Sequence, residues 1–66
     1  MSIERAISYF GSQTNMAIVI DVTQQTISDW VRGKLKPSVK NSVKIERATN
    51  GKVTRQQLRP DIFGEI

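Results

Sequence analysis

Two helical segments in this sequence are joined by a link of only two residues, Asp21 and Val22. On both sides of the link, apolar residues recur at helical spacing. Because so short a link cannot bring two helices antiparallel, the helices must cross steeply. Small Ala17 stands where the second helix would cross the first, and Val22 seals the turn. This pattern predicts a helix-turn-helix.

Capping signals divide the remaining sequence into short helices. The expected N-caps are Ser2, Ser12, Thr23, Ser38 and Thr54, and Gln57 completes a capping box with Thr54. Gly11, Gly33 and Asn50-Gly51 mark helix ends, and Pro60 stops the last helix. We therefore predict an all-α chain of five helices, at about residues 3–10, 13–20, 23–32, 39–49 and 55–58.

Length and composition narrow the classes of function. The chain has 66 residues, which predicts one domain over residues 1–66. It contains no Cys and no His, so we expect no disulfide, no metal site, no catalytic residues, no cofactor and no enzymatic activity. No apolar run approaches membrane-spanning length. We expect a cytoplasmic protein without a membrane partner, associated with the nucleoid of a bacterial host.

The positive charge of the chain is concentrated in one segment. The formal net charge is +4, and no acid stands between Asp29 and Glu46, where five basic residues fall. Such a block is typical of a protein that binds a polyanion, although a solvated basic loop would have the same sequence. The N-terminus of the second helix can also seat a phosphate. The candidate phosphate-contacting residues are Gln13, Thr14, Lys34, Lys36 and Lys40.

The third helix has a polar face that can read DNA bases. If Ile27, Trp30 and Val31 point inward, the polar residues between them point outward. In a helix-turn-helix the second helix lies in the major groove, where Gln can pair with adenine. The alternative is an ordinary soluble helix face. The candidate base-contacting residues are Thr23, Gln24, Gln25, Ser28, Asp29 and Arg32.

Three residues of this helix each have two possible roles. Asp29 can accept a hydrogen bond from cytosine N4 or orient Arg32 three residues later, and we favour the orienting role. Arg32, at the far end, can meet a phosphate or a guanine. We assign Trp30 to the core because it is in phase with Ile27, whereas an exposed Trp would favour single-strand binding.

The sequence also resembles a known family of regulators. The run GSQTNMAIVIDVTQQTISDWVRGK resembles the Cro and repressor DNA-binding domains of temperate phages. The wider layout is similar to the YdaS-like Cro/antitoxin group, whose opening helix ends in FGSQ and whose C-terminal part runs IERATNGKVTRQQLRPDIF, as here. The resemblance spans about residues 3–63. It implies a compact lambda-repressor-like domain of five helices that binds an operator and represses transcription.

The resemblance also assigns roles to residues. It implies that Gln13 contacts a phosphate and that Thr23, Gln24, Gln25 and Ser28 fall at base-reading positions. One residue departs from the family pattern, because the turn usually has Gly where this chain has Asp21. Asp can adopt the left-handed conformation at some cost, which implies lower stability.

Two hypotheses about function follow. The first is a sequence-specific double-stranded DNA-binding regulator, a Cro-like phage or prophage repressor that binds a two-fold operator as a homodimer, formed in solution or only on DNA. The alternative is an antitoxin that binds a protein toxin and autoregulates through the same fold. Leu58, Ile62 and Phe63 either form a dimer surface or pack onto the chain's own core.

Overall fold

Six helices follow one another in residues 2–64, the part of the chain that the computed structural model describes. No β-strand occurs among these residues, which confirms the predicted all-α class. All of the helices in this range are too short or too polar to span a bilayer. The helices are α1 (Ser2–Phe10), α2 (Gln13–Ile20), α3 (Gln24–Val31), α4 (Val39–Ala48), α5 (Arg55–Leu58) and α6 (Pro60–Phe63).

Four of the predicted N-caps make the expected hydrogen bond. The hydroxyls of Ser12, Thr23 and Ser38 each accept from the backbone N–H three residues later, at 3.0 to 3.1 Å. Thr54 forms the full capping box, because its own N–H also donates to the Gln57 side chain at 3.2 Å. These bonds satisfy N–H groups that a helix start otherwise leaves without partners. Ser2 differs, since α1 begins at Ser2 itself.

The C-terminal region contains one helix more than the sequence predicts. Helix α5 ends at Leu58, just before Pro60, as expected. Pro60 is then the first residue of an additional helix, α6. Proline is tolerated at this position because the first N–H of a helix has no intrahelical partner to lose. Thr49, which we placed at the end of α4, instead follows it as the C-cap.

One apolar cluster connects the helices. Helix α2 contacts α1, α3 and α4, and α5 contacts α1 and α4. Val39, in contrast, is 46% exposed, so the fourth helix does not use its first apolar residue in the core. The buried apolar residues are Ile3, Ala6, Met16, Ala17, Ile20, Ile27, Trp30, Ile45, Val53 and Leu58.

The link between α2 and α3 has the predicted left-handed turn. Asp21 has φ +65° and ψ +52°, and it caps the C-terminus of α2. The N–H groups of Asp21 and Val22 both donate to the carbonyl of Ala17, the latter at 3.0 Å. Val22 is half-buried against the core. This two-residue turn positions α3 relative to α2.

Candidate nucleic-acid interface

The N-terminal turns of α2 and α3 lie side by side. The side-chain amide of Gln24, at the start of α3, donates to the hydroxyl of Thr14, at the start of α2. Both residues are exposed, as is Gln13 in the same turn of α2. The fold therefore brings a predicted phosphate-contacting residue and a predicted base-contacting residue into direct contact.

Thr23 is the N-cap residue that immediately precedes α3. Its hydroxyl accepts from the Thr26 N–H at 3.1 Å and is 3.0 Å from the Thr26 hydroxyl. Thr23 remains exposed, whereas Ser28, one turn along, is half-buried. A base contact by Thr23 would thus be made by a residue whose hydroxyl already caps the helix.

Asp29 occupies a position that the sequence analysis did not predict. It is only 9% exposed, so the expectation that it points outward is wrong. Its Oδ1 accepts from Arg32 Nη2 at 3.1 Å, which is the contact that we favoured, and also from Gln25 Nε2 at 3.0 Å. The second contact could have been found, because Gln25 lies four residues before Asp29, a spacing at which helical side chains meet.

The environment of Asp29 favours its ionised form. The hydrogen bond from Gln25, and then those of Arg32 and the positive charge of Lys34, hold the pKa of Asp29 below its ordinary value. The loop after α3 also returns to this residue, since the N–H groups of Lys34 and Leu35 donate to its backbone carbonyl at 2.9 and 3.3 Å. Asp29 therefore connects the polar face of α3 to the basic loop.

The predicted basic block divides into two groups in the fold. Lys34, Lys36 and Lys40 are exposed, and the Arg32 side chain retains 59% of its accessible surface. Lys44 is half-buried instead, and its Nζ donates to the carbonyl of Ile20 at 3.0 Å. The exposed group follows α3 in the chain and is open to a polyanion, whereas Lys44 is part of the scaffold.

A second unpredicted contact holds this loop against the C-terminal helices. Arg59 Nη1 donates to the carbonyl of Pro37 at 2.8 Å. Asp61 holds the same guanidinium through two hydrogen bonds, at 2.8 and 3.0 Å. The contact joins residues 22 positions apart, so no local spacing in the sequence indicates it.

The arrangement offers hydrogen-bond donors, hydrogen-bond acceptors and positive charge on α3 and in the loop after it. Within residues 2–64, no cluster of three or more acidic side chains could hold a metal ion. The side chains that face solvent along α3 are amides, hydroxyls and a guanidinium. Such groups recognise base edges and phosphates.

Comparison with known proteins identifies the family. The family model described as bacterial toxin YdaS matches residues 3–66. The chain is 35% identical over 60 residues to the regulatory protein Cro of Pseudomonas phage D3, covering 91% of this chain and 82% of that protein. The chain belongs to the YdaS family of Cro-like regulators.

Other members and structures of Cro-like regulators agree in sequence and fold. YdaS of Escherichia coli (strain K12), provisionally named a transcriptional regulator, is 34% identical over 61 residues. The alignment covers 92% of this chain but only 62% of that relative's length. The solved Cro protein from the element Xfaso 1 in Xylella fastidiosa strain Ann-1 is 39% identical with a TM-score of 0.87, and 97% of each chain is covered. The predicted Cro-like helix-turn-helix fold is confirmed.

Proposed function

We propose that this Cro-like regulator binds double-stranded operator DNA with α3 in the major groove and thereby represses transcription. The observation that carries the proposal is the pairing of Gln24 with Thr14. This pair aligns the N-terminal turns of α2 and α3 on one surface. In a helix-turn-helix the N-terminal residues of the second helix contact base edges, while the first helix crosses the backbone.

The proposed contacts divide into two kinds. The base-reading residues are Gln24, Gln25 and Thr23, with Ser28 and Arg32 further along α3. The phosphate contacts come from Gln13 and Thr14 at the start of α2 and from Lys34, Lys36 and Lys40, which follow α3 in the chain. Base contacts supply specificity, and phosphate contacts supply salt-dependent affinity.

We further propose that two copies bind one operator. A single module makes few base contacts, and a two-fold operator lets two modules share the recognition. Of the three predicted dimer-surface residues, Leu58 is in the core and Phe63 is half-buried beneath the Arg55 guanidinium, whereas Ile62 is 47% exposed. Ile62 is therefore the residue of the three that is free to contact a second copy.

Selection of bound duplexes from a random pool, at two salt concentrations, tests the proposal. We expect the wild-type chain to enrich a two-fold sequence with half-sites about one helical turn apart, roughly 34 Å. Gln25→Ala is the matched variant and should relax the preference at one base pair per half-site, weakening specific binding by about 1–3 kcal/mol. Identical sequence preferences for the two proteins would contradict the assignment of α3 as the reading helix.

Oligomeric state is tested separately. Sedimentation with and without the selected duplex should reveal a dimer at least on DNA, and Ile62→Lys should reduce the cooperativity of half-site binding while leaving the folded spectrum unchanged. Binding of one chain per operator by both proteins would refute the two-fold model.

A second candidate function is favoured by the description of the matching family as a bacterial toxin. In this alternative the chain belongs to a toxin–antitoxin pair, as an antitoxin that binds a protein toxin and autoregulates through the same DNA-binding fold. Overproduction in a bacterial host separates the two functions. If a growth effect arises from operator binding, Gln25→Ala should weaken it at matched expression levels. If the growth effect is undiminished in that variant, it arises from a contact that does not use α3 to read bases.

A further inference from the structure

We infer that Asp29 fixes the orientation of the Gln25 carboxamide and thereby makes this side chain select adenine against guanine. The inference rests on the proposed function, and it assigns a positioning role to a residue that does not itself reach the bases. It begins from the two hydrogen bonds that Asp29 Oδ1 accepts, from Gln25 Nε2 at 3.0 Å and from Arg32 Nη2 at 3.1 Å.

A carboxylate determines which end of an amide can face it. An ionised Asp only accepts hydrogen bonds, while a glutamine amide has a donating nitrogen and an accepting oxygen. Asp29 is nearly buried, whereas Gln25 is exposed. Gln25 must therefore turn its nitrogen toward Asp29, since a flipped amide would place two oxygens against each other. The Gln25 oxygen and the second amide hydrogen remain for a ligand.

This fixed order of donor and acceptor matches one purine and opposes the other. Adenine presents a donor at N6 and an acceptor at N7, so it can pair with both groups of the amide. Guanine presents acceptors at both O6 and N7. Its O6 would meet the Gln25 oxygen, and the amide could serve both guanine acceptors only by turning both N–H hydrogens toward the base, which would break the bond to Asp29. A free glutamine could turn over without that cost.

Arg32 donates a second hydrogen bond to the Asp29 oxygen that Gln25 contacts. Its contact occupies one guanidinium nitrogen and holds Asp29 in place, while 59% of the Arg32 side chain remains accessible. A guanidinium has five N–H donors, so the remaining donors can still contact a phosphate or a base. Asp29 thus holds two candidate DNA-contacting side chains, Gln25 one turn before it and Arg32 about one turn after it.

The test measures discrimination between adenine and guanine at the base pair read by Gln25. That base pair is the one at which Gln25→Ala loses preference. There, we expect Asp29→Asn to reduce the adenine-to-guanine affinity ratio by roughly 5- to 100-fold, because an asparagine amide can either donate or accept. The ratios at base pairs that neither Gln25 nor Arg32 contacts should stay unchanged. In a Gln25→Ala background, Asp29→Asn should have no further effect on this ratio.

The outcomes distinguish this inference from the function on which it rests. If Gln25→Ala changes no base preference, the proposed reading helix is wrong. If Gln25→Ala changes a preference but Asp29→Asn leaves the adenine-to-guanine ratio at that base pair intact, the reading helix stands and the inference is overturned. A uniform loss of affinity at every base pair in Asp29→Asn would indicate a structural role only, and would likewise overturn it.

A measurement on the free wild-type protein covers the case in which Asp29→Asn fails to fold. Nuclear magnetic resonance relaxation should find the Gln25 side-chain amide immobilised relative to that of Gln13. Gln13 is the matched control because it is exposed and makes no side-chain hydrogen bond among the described residues. Equal mobility of the two amides would overturn the inference without any variant.

Discussion

Lys44 of α4 closes the C-terminal end of α2, because its Nζ donates to the carbonyl oxygen of Ile20 at 3.0 Å. The last carbonyls of a helix have no intrahelical partner, and a positive charge there also interacts favourably with the helix dipole. The bond joins residues 24 positions apart and braces the helix that precedes the turn. A lysine from the basic block therefore serves the fold, while Lys34, Lys36 and Lys40 remain exposed.

This division predicts different salt responses for lysines of the same block. Lys34→Ala or Lys36→Ala should weaken binding to all duplexes and reduce the slope of log affinity against log salt by about one. Lys44→Ala should leave that slope unchanged but lower the free energy of unfolding by about 1–3 kcal/mol, because the Ile20 carbonyl loses its partner. Affinity titrations at several salt concentrations, with denaturant unfolding in parallel, provide both measurements. Equal slopes for wild type and Lys34→Ala would mean that Lys34 does not contact phosphate.

Trp30 is expected to contribute to stability rather than to base stacking. It is 4% exposed and belongs to the apolar cluster, so Trp30→Ala should lower the free energy of unfolding by about 3–5 kcal/mol. Trp30→Phe, which keeps a ring in the site, should cost less. Thermal or denaturant unfolding followed by circular dichroism measures the difference. A stable Trp30→Ala protein that had lost only DNA binding would contradict the core assignment.

Asp21 is expected to limit the stability of the helix-turn-helix. Because it sits at φ +65°, where a side chain is strained and glycine is not, Asp21→Gly should raise the free energy of unfolding by on the order of 1 kcal/mol. Asp21→Asn removes only the charge and keeps a residue that tolerates this conformation, so it should stay closer to wild type. Denaturant unfolding compares the three proteins. A glycine variant less stable than the asparagine variant would refute the strain argument.

The Asp61–Arg59 pair predicts a loss of stability in acid. Hydrogen bonds from Arg59 lower the pKa of Asp61 from 3.8 to about 2. Because the folded pKa is below the unfolded one, the contribution is fully present above the unfolded pKa and is lost as the pH falls from 3.8 toward 2.

Asp61→Asn should therefore be less stable than wild type at pH 7, and the gap should narrow below about pH 4. Denaturant unfolding at a series of pH values measures the gap. Asp21→Asn is a suitable control, since it removes an exposed carboxylate that forms no ion pair with another residue in the range 2–64. A gap that stayed constant down to about pH 2 would exclude the Arg59 contact as its origin.

Local sequence was sufficient to predict the starts of α2, α3, α4 and α5 and the inward face of α3. Ser12, Thr23, Ser38 and Thr54 cap their helices because each hydroxyl needs only the N–H three residues later. The inward positions of Ile27 and Trp30 follow from helical periodicity alone. The same reasoning wrongly predicted an exposed Asp29. Helical periodicity gives the direction in which a side chain leaves the helix, but it does not show that the loop after α3 folds back to bond the Asp29 carbonyl.

What the sequence determined by itself is thus the set of interactions that act within about one helical turn. These include the caps and the apolar stripes, since their partners are set by spacing along the chain, whereas the left-handed turn at Asp21 was predicted from the family resemblance. Only the tertiary structure decided that Lys44 closes α2 and that Arg59 holds the loop at Pro37. Those partners are more than twenty residues apart, and they meet only after the core has fixed how the helices pack against one another.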